Sequence, residues 1–149
     1  MSMLPPRQVY SRFLVFLLFF GLGLALVPWA ENSLKWGILP VVAAGGLGVW
    51  TLWHNRPGNF RILPELTEGA ALVMTGPYSW VRHPMYSTLM LVGLAGVLAS
   101  GHGLNLVGWG IMVWALWAKS RREEALLQRT FGGYRDYMAR TRRFVPWFW

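Results

Sequence analysis

Long apolar runs constrain this chain more than anything else in it. Phe13-Leu14-Val15-Phe16-Leu17-Leu18-Phe19-Phe20 is apolar on every side of a helix, and further runs begin near Leu34, Pro84 and Leu104. About 20 such residues cross roughly 30 Å of hydrocarbon. The runs therefore predict spans over about 11–29, 34–53, 84–100 and 104–120. Glu31-Asn32-Ser33 forms a short polar turn, and Gly101-His102-Gly103 is too short for anything but a tight hairpin, so the last two spans are antiparallel neighbours. The predicted fold is all-α, a polytopic transmembrane helical bundle of about four spans. It forms one domain over 1–149, with a cytoplasmic helical tail over 121–149.

Composition agrees with lipid contact. Only 13% of residues are charged and the mean hydropathy is +0.36, whereas a soluble domain carries about 25% charged residues. Ten tryptophans and five tyrosines suit a chain anchored at two lipid interfaces. With no cysteine, disulfides, thiolate nucleophiles and cysteine-based metal sites are excluded. The first apolar run has no small-residue cleavage site before Trp29 and reads as a retained helix, not a signal peptide.

A net charge of +8 would suggest nucleic acid in a soluble protein. Here the basic residues flank apolar runs, so anionic lipid head groups are the expected partner and nucleic acid is not. With four crossings, the amino terminus, the second loop and the tail share one side. That side holds every one of the 14 lysines and arginines except Lys35. The positive-inside rule then places both termini in the cytoplasm, as in an integral protein of a prokaryotic plasma membrane.

Small residues suggest where helices meet. Ala44 and Gly48 make a small-xxx-small pair, and Gly93, Gly96, Gly108 and Gly110 are expected between the third and fourth spans. Pro57-Gly58-Asn59 marks a turn, with Arg56 and Arg61 as head-group contacts.

The polar chemistry concentrates in Gly76-Pro77-Tyr78-Ser79-Trp80-Val81-Arg82-His83-Pro84-Met85-Tyr86. Gly-Pro reads as a turn, and Pro84 suits the first position of a helix. The hairpin at 101–103 returns Glu123 and Glu124 to the neighbourhood of Arg82 and His83. One reading is an interfacial salt-bridge network that holds the hairpin. The other is a site for a small zwitterion, with a guanidinium on its carboxylate, a carboxylate on its ammonium group and aromatic faces against a cationic centre.

These residues carry a resemblance. Gly76-Pro77-Tyr78, Val81-Arg82-His83-Pro84-Met85-Tyr86, Arg122-Glu123-Glu124, Phe131-Gly132 and Arg143-Phe144-Val145-Pro146 resemble the membrane methyltransferases. That family includes isoprenylcysteine carboxyl methyltransferases and phospholipid N-methyltransferases. The likeness covers roughly Leu72 to Trp147, and Ser87-Thr88 departs from it where the family commonly has a glycine.

The resemblance implies an enzyme that uses S-adenosyl-L-methionine and a lipidic acceptor entering from the bilayer, either a phospholipid amine or an isoprenylcysteine carboxylate. It implies cofactor contacts from Val73, Met74, Gly76, Pro77, Tyr78, Arg82, His83, Pro84, Tyr86, Glu123 and Glu124. An amine acceptor must lose a proton, and Glu123, Glu124 or His83 would take it. On this reading Glu124→Gln and Arg82→Ala impair cofactor binding more than folding. Arg140, Arg142 and Arg143 are placed to hold a lipid phosphate or an acceptor carboxylate, or else serve as plain surface charges. Other readings are methyl transfer to a small thiol or apolar metabolite, a haem- or quinone-binding module using His54, His83 or His102, and a non-catalytic membrane scaffold.

Overall fold

The structure is a computed structural model and describes residues 6–27, 35–55 and 72–148. The turns expected at Glu31-Asn32-Ser33 and Pro57-Gly58-Asn59, and the head-group contacts of Arg56 and Arg61, lie outside the described residues. The chain forms helices α1 (Pro6–Leu26), α2 (Lys35–His54), α3 (Pro84–Ser100), α4 (Gly103–Thr130) and α5 (Tyr134–Arg140), with a 3-10 turn at Gly76–Ser79 before α3.

The helix ends follow local chemistry. Pro84 opens α3, where its missing N–H costs nothing. Gly101 closes the same helix in the left-handed conformation, φ 65°, and its N–H donates to the Val97 carbonyl at 2.8 Å. His102 then caps α4, its Nδ1 accepting from the Leu104 N–H at 3.2 Å. The tight hairpin expected at 101–103 is therefore present.

The all-α expectation holds, but the expectation of four spans does not. Among the described residues, one helix, Lys35–His54, is long and apolar enough to cross a membrane. The apolar part of α1, Tyr10–Leu26, and the whole of α3 are shorter. Each covers 17 residues, or about 25 Å at 1.5 Å per residue, against roughly 30 Å of hydrocarbon. α4 has 28 residues, but its second half carries Lys119, Arg121, Arg122, Glu123, Glu124 and Arg129. The orientation deduced from charge bias counted four crossings and loses its premise with them.

Helix packing is set by glycine. α1 lies along α4, and α2 along α3. A Cβ on Gly108 would stand 2.7 Å from the Ala25 nitrogen, and one on Gly21 would stand 2.7 Å from the Gly108 carbonyl, so α1 and α4 touch backbone to backbone. Gly96 likewise faces the Ala25 carbonyl of α1. Of the four glycines expected between α3 and α4, Gly93 does lie there, against Met112 and Trp109, whereas a Cβ on Gly110 meets nothing within 4 Å. Of the Ala44 and Gly48 pair, Gly48 faces α3 against the Thr88 methyl, and Ala44 is buried.

Leu18, Met112, Ala115 and Leu116 form the buried centre, with Tyr86, Leu89, Met90 and Trp109 packed against it. Asn105 ties the end of α1 to the start of α4, its Nδ2 donating to the carbonyls of Ala25 at 2.9 Å and Val27 at 2.8 Å. The exterior is unusually apolar. Phe13, Phe16, Phe19 and Phe20 of α1 and Trp36, Leu39, Val42 and Trp53 of α2 are exposed, and an apolar surface of that extent marks contact with lipid or another apolar partner.

Candidate active site

Two segments far apart in sequence build the site. The turn before α3 begins at Gly76, whose φ of 59° and close approach to the His54 ring both require glycine: a Cβ there would stand 2.4 Å from Cδ2 of His54. The turn is held by the Ser79 hydroxyl on the Gly76 carbonyl, 2.7 Å, and by the Tyr137 hydroxyl on the Tyr78 carbonyl, 2.6 Å.

The chain after α5 then runs beside residues 80–83 as a short parallel pair centred on Val81 and Arg142. The N–H of Arg82 donates to the Arg142 carbonyl at 2.7 Å, that of Arg142 to Trp80 at 3.0 Å, and that of His83 to Arg143 at 3.1 Å. Ser87 completes the seam, its hydroxyl donating to the Phe144 carbonyl at 2.6 Å. His83 occupies the capping position of α3 but makes no capping bond with its side chain, which turns towards the two glutamates.

Those glutamates are neighbours in sequence and differ in circumstance. Glu124 is 2% exposed. Its Oε1 accepts from Arg82 Nε at 2.8 Å, Arg143 Nε at 3.2 Å and His83 Nε2 at 3.3 Å, and its Oε2 accepts from Arg143 Nη2 at 2.6 Å. Burial alone would push its carboxyl up. Hydrogen bonds from His83, Arg143 and Arg82 outweigh burial and hold it well below the usual carboxylate range. Arg82 is equally committed, its Nη1 donating to the carbonyls of Thr141 at 2.5 Å and Met138 at 3.2 Å, where α5 ends. This cluster clamps the tail to the bundle.

Glu123 remains partly accessible, its side chain 19% exposed. It accepts from the Tyr86 hydroxyl at 2.7 Å on Oε1 and 2.8 Å on Oε2, and from Lys119 Nζ at 2.5 Å. His83 Nδ1 lies 3.6 Å from its Oε2. Lys119 also donates to the Tyr86 hydroxyl, and its ammonium stands 5.0 Å from the centre of the Tyr86 ring. The His83 ring stacks on Tyr86, centroids 5.2 Å apart and planes within 3°. The result is a cradle for a cation, a carboxylate beside an aromatic face, in which Lys119 is the chain's own occupant.

Of the residues singled out from sequence, the structure brings Arg82, His83, Tyr86, Glu123 and Glu124 into one cluster, with the buried Pro84 starting the helix that carries Tyr86. Gly76, Pro77 and Tyr78 form the adjoining turn, linked to the cluster's tail through Tyr137. Burial pushes the Tyr78 hydroxyl up to about 12, and it raises those of Tyr134 and Tyr137 further. Val73 and Met74 precede that turn without regular structure, Met74 being exposed.

His54 and His102 stand apart from the cluster, His54 with its Nδ1 3.0 Å from the Trp50 carbonyl and His102 capping α4. Among the described residues no group of His, Asp and Glu is arranged to hold a metal. Lys119, one helical turn before Glu123, joins this cluster without having been singled out from the sequence. Its burial, 5% exposed, follows from sharing a helix face with Met112 and Leu116. Arg143, one of the arginines expected on a lipid phosphate or an acceptor carboxylate, pairs with Glu124.

A family model described as phospholipid methyltransferase matches residues 34–133 of this chain. The chain is also similar to the nickel-cobalt-cadmium resistance protein NccN of Alcaligenes xylosoxydans xylosoxydans, with 40% identity over 81 residues, covering 53% of this chain and 38% of that protein. The chain therefore spans well under half the length of that relative.

Proposed function

The chain belongs to the phospholipid methyltransferase family, and from that premise we propose that it methylates the amine head group of a phospholipid at a membrane surface, with S-adenosylmethionine as donor. At the level of the family, the activity is methyl transfer to a lipid-related substrate by a membrane-associated protein. The observation that carries the finer reading is the contrast between the two glutamates. Glu124 is saturated by Arg82, Arg143 and His83, whereas Glu123 keeps a partly accessible carboxylate beside His83 and Tyr86.

The residues present fit the cofactor in charge. Its ammonium group would take the place that Lys119 now holds on Glu123 Oε1, and its sulfonium suits the aromatic face of Tyr78. Arg82, with its Nε on Glu124 and its Nη1 on the tail, contributes a fixed positive charge, not a free fork. When bound, the cofactor supplies an electrophilic methyl group.

The protein's own part is alignment and proton removal. The turn at Gly76–Ser79 and the docked tail wall off the cluster, and holding two reactants in line accounts for much of such a rate. An amine must shed a proton to attack, and Glu123 Oε2, with His83 Nδ1 beside it, is the acceptor. A carboxylate acceptor would need no base and would meet the Glu123 charge.

The test is transfer of radiolabelled methyl groups into phosphatidylethanolamine and, in parallel, into a prenylcysteine analogue. Phosphatidylethanolamine should be labelled, and Glu123→Gln should slow that labelling by roughly 10²–10⁴-fold while leaving the protein folded. Calorimetry that finds no cofactor binding to a folded sample, or an E123Q variant as fast as the parent, would overturn the proposal.

A further inference from the structure

On α4, Trp109, Gly110, Val113, Trp114 and Trp117 line an almost wholly apolar groove of about 360 Å³. Its floor is Gly110, where a Cβ would meet nothing within 4 Å. The Trp109 ring is fixed by its Nε1 donating to the Met90 carbonyl of α3 at 2.9 Å. From Trp109 to Trp117 the groove follows about 12 Å of helix. At the Trp117 end stands exposed Arg121, its guanidinium 5.0 Å from the centre of the Trp117 ring.

We propose that this groove binds one anionic phospholipid, its acyl chain along the tryptophans and its phosphate on Arg121. An apolar trough that ends in an exposed guanidinium matches the order of chemistry along such a lipid, and a net charge of +8 favours an anionic head group over a zwitterionic one. A second copy of this chain related by a two-fold axis would bring like patches, each with its Arg121, onto one interface.

The bound lipid is not the methyl acceptor. Arg121 and Glu123 are two residues apart, so their side chains leave the helix about 200° from each other, and a phosphate on Arg121 lies across α4 from the cation cradle. The inference stands whether or not methyl transfer is confirmed, because its readout is lipid retention.

The experiment is native mass spectrometry of the protein released from nanodiscs of equal phosphatidylglycerol and phosphatidylcholine. The parent should retain one phosphatidylglycerol in preference to phosphatidylcholine. Arg121→Gln should reduce that preference about fivefold, the effect of one basic side chain near a lipid surface, and Gly110→Leu should abolish retention by filling the groove. Equal retention of both lipids, or R121Q and G110L variants indistinguishable from the parent, overturns the proposal. So does a parent dimer that G110L dissociates with lipid count unchanged, since the groove then belongs to a second copy. Should G110L fail to fold, the lipid preference of R121Q decides alone.

Discussion

Replacing Glu124 by glutamine should release the tail before it affects chemistry. Glu124 is 2% exposed, and its side chain accepts four hydrogen bonds from Arg82, His83 and Arg143. Glutamine keeps the volume but has one acceptor oxygen and no charge, so two guanidinium groups lose their counter-charge at once. Removing one partner of a buried pair costs about 3–5 kcal/mol, a large share of the roughly 5–15 kcal/mol that holds a domain together. Glu123→Gln weakens the partner of the buried Lys119 but keeps an acceptor oxygen for it and for Tyr86 and touches no residue of the tail, so its cost, up to about 3 kcal/mol, falls on α4 and not on the seam. Hydrogen exchange separates the two through the seam amides of Arg82, His83 and Arg142. In E124Q their protection should fall by at least about a hundredfold, the factor for some 3 kcal/mol; in E123Q it should stay within about tenfold of the parent. Unchanged protection of those amides in E124Q, or equal loss in both variants, would refute the clamp.

The same carboxyl sets an acid limit. Its folded-state value lies well below the unfolded value of about 4.3, so its stabilisation is complete above that value and is lost as pH falls through and below it; melting temperature against pH should therefore bend downward below about pH 4 in the parent and lack that component in E124Q. At the α1–α4 contact, Gly108→Ala places a methyl 2.7 Å from the Ala25 nitrogen and should cost about 1–3 kcal/mol, whereas Gly110→Ala, with open space around it, should gain up to about 1 kcal/mol from helix propensity; thermal melts in one detergent compare them.

Local features of the fold were legible because single residues carry them. Pro84 starts α3, and the short Gly101-His102-Gly103 segment turns the chain into α4; both are readable without knowing the rest of the molecule. The number of crossings was not. Each run was measured to the next polar turn, so Pro28 and Trp29 lengthened the first one, while α1 ends at Leu26. Helix partners were also hidden, since Gly108 faces Gly21 and Ala25 and nothing in the spacing says that α4 chooses α1. The tail docks through main-chain bonds between residues about sixty positions apart, and main-chain pairing leaves no side-chain pattern to read. Arg82, His83, Glu123 and Glu124 stood out as a group because charged residues beside apolar runs are expensive; what each does within the group depended on the tail.

Adjacent residues on a helix point about 100° apart, and the Glu123-Glu124 pair uses that angle to join two tasks. Glu124 faces Arg82 and Arg143, and through them holds the segment after α5 against residues 80–83. Glu123 faces Lys119 and Tyr86. His83 lies between the two carboxylates, one ring nitrogen towards each, and its backbone N–H is fixed by the Arg143 carbonyl of the docked tail. The His83 carbonyl is held at the start of α3 by the N–H groups of Tyr86 and Ser87, and the docked tail adds the second anchor that sets the imidazole between the carboxylates. The salt-bridge reading and the site reading of these residues therefore concern two halves of one cluster, joined through His83.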